Sequence, residues 1–167
     1  MVEIYREHDV PLCLDVQTLK QVNLENISFH RCYLNNLDFS FSRLVNIDFR
    51  SAELIDSKFL ASVFDKSKLI MVTAQNSNFD KCSFDESLLL HSDFSGSSFR
   101  FADMSKSILN DTSFENCDLR GANLSCTGLE NCIWNGAVYD ASTLWSKNFI
   151  ALQYGAVNVD ESKKKKQ

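Results

Sequence analysis

Residues 92–104 read Ser92-Asp93-Phe94-Ser95-Gly96-Ser97-Ser98-Phe99-Arg100-Phe101-Ala102-Asp103-Met104, three passes of one five-residue pattern. A large apolar residue (Phe94, Phe99, Met104) stands at every fifth position, and a small residue (Ser92, Ser97, Ala102) stands two before each. Outward from this stretch the beat holds from Leu24 to Tyr139. Those 24 positions carry ten Phe, ten Leu, Met104, Trp134 and Tyr139, with Ala74 the one break. The small column is Ser, Ala, Thr, Cys or Val in 21 of 24 cases, with Ile27, Leu37 and Ile47 as exceptions. Phe and Leu together are under a fifth of the chain, so composition does not produce this column.

A helix repeats near 3.6 residues and a strand repeats at 2. A period of five fits a chain that makes a short extended step, turns a corner and repeats. Four corners close a square, so one coil takes about 20 residues and coils stack about 4.8 Å apart, as strands do. The large and the small residue point inward, and two bulky side chains per corner would overfill so narrow a core. The other three positions face water. Twenty-four pentads predict an all-β solenoid of about six coils, roughly 29 Å long. Residues 20 apart then stack. One core ladder is Phe39, Phe59, Phe79 and Phe99, and another is Leu24, Leu44, Phe64, Phe84, Met104 and Leu124.

The stretch Leu119-Arg120-Gly121-Ala122-Asn123-Leu124-Ser125, with Cys117-Asp118-Leu119 and Ala102-Asp103-Met104, resembles the A(D/N)LXX consensus of the pentapeptide-repeat proteins. The resemblance covers residues 22–141 and implies that family's right-handed quadrilateral β-helix. The stretch Tyr139-Asp140-Ala141-Ser142-Thr143-Leu144-Trp145, followed by Phe149 and Tyr154-Gly155-Ala156, resembles the closing motif of such repeats, with Ser146 where Pro is common. The expected organisation is an N-terminal cap over 1–21, the repeat body over 22–141, a closing cap over 142–159 with room for one short helix, and a disordered basic tail over 160–167. Most family members carry no assigned biochemical role. Some are rod-shaped mimics of B-DNA that bind gyrase, a type II topoisomerase, and those are usually dimers joined through a C-terminal helix.

The formal net charge is −5, and Lys163 to Lys166 supply four positive charges, so the body carries near −9. That balance argues against direct nucleic-acid binding, which needs a basic face. No apolar run is long enough for a membrane span. The start, Met1-Val2-Glu3-Ile4-Tyr5-Arg6-Glu7, lacks the layout of a secretion signal, so the expected setting is the cytoplasm. Cys32, Cys82, Cys117 and Cys132 fall in the small inward column as fillers, while Cys126 is expected to face outward and Cys13 precedes the repeats. No cysteine or histidine spacing suits zinc, so no metal and no cofactor is expected.

Candidate chemistry is claimed by the repeat. Asp38, Asp48, Asp93, Asp103 and Asp118 precede large residues, where a carboxylate serves a turn by bonding backbone. Nine inward serines, from Ser42 to Ser107, are placed to bond coil backbone. With no nucleophile elbow and no phosphate loop, catalytic residues are not expected and the chain reads as a non-enzyme. Function should then lie on outer faces. Ile70, Met71, Leu88, Leu90 and Ile108 gather on one face as a candidate protein-interaction patch. Phe41, Leu60, Val63 and Phe101 form a weaker second patch, interrupted by Asp80 and Lys81. The leading expectation is a scaffold or interaction module for an unidentified protein, monomeric or dimerised end to end. The alternative is the gyrase-binding DNA mimic that the resemblance implies.

Overall fold

The computed structural model describes residues 1–160. It is a β-solenoid of about seven turns with almost no helix. Its strands are β1 (Val2–Arg6), β2 (Asp9–Leu14), β3 (Asn23–Glu25), β4 (Arg43–Val45), β5 (Lys68–Ile70), β6 (Leu88–Leu90), β7 (Ile108–Asn110), β8 (Asn123–Leu124), β9 (Val138–Tyr139), β10 (Leu144–Trp145) and β11 (Val157–Asn158). Strands of the coils pair in parallel at 20-residue register, as in Leu24↔Leu44 and Leu69↔Leu89↔Leu109. Isolated parallel bridges continue the same register between them, for example Tyr33↔Glu53 and Asp38↔Lys58.

The corners explain the five-residue beat. The residue two after each large one takes a left-handed conformation in most pentads, with φ of 61° at Phe41, 55° at Ala61, 60° at Lys81 and 58° at Phe101. The carbonyl of the large residue accepts from the N–H three residues on, as between Phe59 and Ser62 at 2.9 Å. One positive φ at the third turn residue, with that bond, is the signature of a type II turn. Non-glycine residues in this region carry strain. Here the inter-coil ladder on both sides of the corner holds them in place.

Inside, Phe39, Phe59, Phe79 and Phe99 stack face to face, with ring centroids 5.4, 5.0 and 4.9 Å apart. Phe64 and Phe84 stack at 5.0 Å. A further column runs Phe94, Phe114 and Trp134. Offset stacks of this kind add roughly 0.5–1.5 kcal/mol per pair beyond burial. The inward serines knit the coils together. Ser62 Oγ donates to the Phe39 carbonyl at 2.7 Å and accepts from the Ser42 N–H at 3.1 Å. Ser67, Ser77 and Ser97 repeat that double bond one coil at a time. Each hydroxyl thus gives two buried backbone groups of the coil below a bond between coils, beside the turn bond that some of them already make.

The outward expectation fails at Ser40 and Val45, which are buried, and at Cys126. Cys126 does not face outward: it is buried, and its neighbour Thr127 is exposed. Ile108 pairs with Thr127, a register of 19, and the 20-residue register returns at Ser113↔Ile133. Gly128, at φ 84°, and the 3-10 turn Leu129–Asn131 absorb the difference. A residue is lost and regained inside one coil, so Leu124 and Leu129 both stay in the core.

At the start, β1 and β2 form an antiparallel hairpin, and β1 continues onto the first coil through Arg6↔Cys32. At the other end the ladder runs beyond the last pentad. β10 pairs with β8 and β11 with β9, which makes about seven turns of the six counted from pentads. The short helix there is a 3-10 turn, Ala151–Tyr154, ended by Gly155 at φ 85°. Of the tail expected at 160–167, only Asp160 lies among the described residues.

Candidate functional site

Strands β5, β6 and β7 form the one three-stranded sheet among the described residues. Strand alternation sends Leu69, Leu89 and Leu109 inward and their neighbours outward. Lys68, Leu88 and Ile108 make one outward column, and Ile70, Leu90 and Asn110 the next. Met71 stands at the adjoining corner, 56% exposed, with Ile108 at 48%. The structure therefore brings together all five residues of the first candidate patch on one flat face. Toward the first coils the face carries His30, Arg31, Arg50 and Lys68. Arg50 holds Asp48 through two bonds of 2.9 and 2.6 Å, which draws that carboxyl below its usual range. Toward the last coils His91 lies 3.5 Å from Asp111, and the Asn131 side chain donates to that of Asn110 at 2.6 Å.

The second patch is not brought together in the same way. Phe41 and Phe101 are about half exposed but stand three coils apart on one corner column, with Ala61 and Lys81 between. Leu60 and Val63 are only partly exposed. Lys20 lies over the Phe41 ring at 5.9 Å, and Arg100 over Phe101 at 5.7 Å. Ile133, 54% exposed, was not singled out in the sequence, although its place before Trp134 marks it as outward. Leu144 still sits in the five-residue frame, which points it inward, but it is 55% exposed because the beat ends at Tyr139; the exposed Ile150, Leu152 and Val157 lie outside the frame.

The polar residues are occupied. All five aspartates noted above accept from the N–H two residues on, including Asp38 from Ser40 at 2.9 Å and Asp103 from Ser105 at 3.0 Å. Cys82 and Cys117 take the serine role, donating to Phe59 and Phe94 carbonyls. Burial pushes the thiols of Cys117 and Cys132 up, to about 12 and about 11. Among the described residues no group of His, Cys, Asp or Glu is arranged to hold a metal ion. No helix among them is long and apolar enough to cross a membrane.

The fold and its outer faces define a class: a pentad-built β-solenoid that presents flat surfaces. The family model described as pentapeptide repeats matches in eight copies, over residues 18–50, 75–111 and 97–136. The chain belongs to the pentapeptide-repeat family. Among solved structures it is similar to HetL from the cyanobacterium Nostoc sp. strain PCC 7120, a pentapeptide repeat protein involved in heterocyst differentiation regulation. That likeness has 19% identity and a TM-score of 0.51 over 77% of this chain and 53% of HetL. It is also similar to alr5209, a pentapeptide repeat protein from Nostoc PCC 7120, with 25% identity and a TM-score of 0.52 over 66% of this chain and 84% of that one. A trypsin-treated form of QnrB1, a plasmid-mediated fluoroquinolone resistance protein, aligns at 13% identity and a TM-score of 0.49 over 86% of this chain and 88% of that one. This chain therefore spans about half of HetL. No curated protein matches it.

Proposed function

We propose that the protein is a non-enzymatic interaction module that binds another protein surface through the β5–β6–β7 face. The observation that carries this reading is the pair of outward apolar columns, Leu88 under Ile108 and Ile70 under Leu90, beside the half-exposed Met71. Apolar side chains gathered on a flat, rigid sheet gain by being covered. The double variant Leu88→Lys with Leu90→Lys tests it. Both side chains point out of the core, so the melting temperature should hold while association with any protein is lost. Association that survives in a folded double variant overturns the reading.

A second reading is a DNA mimic that binds a type II topoisomerase. Its support is the neighbouring face, where Glu53, Asp56, Asp93 and Glu115 stand without a Lys or Arg. Its weakness is that these acids are spaced and engaged. Glu53 accepts from Asn35 at 2.9 Å and Asp93 from Gln75 at 2.6 Å. A gyrase supercoiling assay with a quinolone decides it: no inhibition and no protection at micromolar protein removes this reading.

A further inference from the structure

The apolar face is polar at both ends, and the two ends differ in sign. Its first three coils carry Arg31, Arg50 and Lys68 against the single carboxylate Asp48, a net of two positive charges. Its fourth to sixth coils carry Asp111 and Glu130 with no Lys or Arg, a net of two negative charges. The hairpin adds Arg6, Glu7 and Asp9 beside the first coil, with Arg6 3.8 Å from Asp9, which leaves that end one positive charge net. The face therefore runs from basic through apolar to acidic along the rod. Resting on the interaction reading above, we infer that its occupant is a second copy of this chain, laid face to face and antiparallel.

The geometry follows from symmetry. A two-fold axis lying in the contact plane, at right angles to the rod, sets every outward column against itself in reverse. With the axis midway between the third and fourth coils, Ile70 meets Leu90 of the second copy, and the reciprocal pair repeats it. Met71 meets His91, and the Lys68 stem lies over Leu88. Arg50 meets Asn110 beside Asp111, and Arg31 reaches Asn131 and Glu130. Asp48 comes opposite Ile108 and keeps its own Arg50 as partner. A parallel pair, with the axis along the rod, would set basic end against basic end and acidic against acidic. Charge thus selects the antiparallel arrangement. The strip is roughly 24 Å long, five coil steps of about 4.8 Å. At about 15 Å wide it buries on the order of 700 Å² in all, which is below the size of a permanent interface. The dimer is therefore a weak one, populated only at high protein concentration.

Sedimentation velocity of the full chain from about 10 µM to 1 mM tests this. The expected result is a dimer fraction that grows with concentration and shrinks with added salt. Glu130→Arg should weaken it about threefold or more. Combining Glu130→Arg with Arg31→Glu should restore it, because the two meet only in the antiparallel pair. Leu88→Lys with Leu90→Lys should leave a folded monomer, checked by its melting curve. A wild type that stays monomeric throughout overturns the second-copy inference. If the double lysine variant then loses capture of another protein, the interaction reading stands without it. A dimer indifferent to both the lysines and the charge swap overturns both.

Discussion

At the scale of single residues, the repeat turns reactive side chains into packing. A thiol in the small column donates to a carbonyl one coil below, as a serine does, and sits where water does not reach. Burial disfavours the thiolate, so the pKa rises and the nucleophilic form is scarce at neutral pH. Burial pushes Cys126 to about 12 and raises Cys82 as well. Cys13, on the outer strand of the hairpin, is the one exposed cysteine. A thiol-reactive chromophore at pH 7.5 should therefore label one group quickly in the folded protein and all six in denaturant. The Cys13→Ser variant should lose the fast phase. More than one fast thiol would show that the coils open locally or that the small column is not inward. The aspartates follow the same logic. Each spends its carboxylate on a turn N–H, which leaves a recurring acidic residue with a structural duty and no catalytic one.

At the scale of the coil, the informative element is the one where register slips. Between Leu124 and Leu129 the chain pairs 19 residues back and then recovers. Gly128 makes this possible. A Cβ there would lie 1.5 Å from the Leu109 carbonyl oxygen, a backbone atom that cannot step aside, and φ is 84°. Gly128→Ala should therefore cost several kcal/mol, well above the ordinary penalty of about 1 kcal/mol for alanine in a left-handed turn. Gly96→Ala is the control, since its nearest contact is the movable Asn76 side chain at 2.6 Å. Chemical denaturation of both variants checks this, and equal losses would contradict it. The same coil shows what the sequence conceals. The ladder Phe39, Phe59, Phe79 and Phe99 was legible because spacing alone determines which residues stack. The candidate face was legible for the same reason, since Leu88 and Ile108 are 20 apart. The slip was not legible, because one residue lost and one regained leave the five-residue count unchanged. The unbroken count therefore points Cys126 outward, where the slipped coil buries it. The hairpin docking onto the first coil also lay outside the count, because antiparallel pairing carries no five-residue signature.

At the scale of the whole molecule, the protein is a one-dimensional stack in which each coil is supported by the coils above and below. Interior coils have two neighbours and the end coils one, so the ends decide how the rod opens. At the first end the hairpin supplies the missing neighbour. Tyr33 N–H donates to the Tyr5 carbonyl at 2.9 Å, Glu7 N–H donates to Arg31 at 3.1 Å, and the Arg6 guanidinium donates to the Ser28 carbonyl at 3.0 Å. Ile4 and Leu14 are buried in the same cluster as Phe29 and Leu34. Removing residues 2–14 would leave a parallel edge with unpaired N–H and carbonyl groups and uncovered aromatic rings, a template for edge-to-edge association. Hydrogen exchange should then show graded loss, greatest at 29–34, smaller one coil on at 49–54, and little at 79–99, where the aromatic stack has neighbours on both sides. The truncated protein should also aggregate on heating at a lower temperature than the full chain. A uniform loss of protection over the whole rod would mean that the coils open as one cooperative block and that the hairpin nucleates the fold. Unchanged protection at 29–34 would mean that the first coil closes without its cap. The graded outcome alone fits a ladder whose bonds reach one coil and no further.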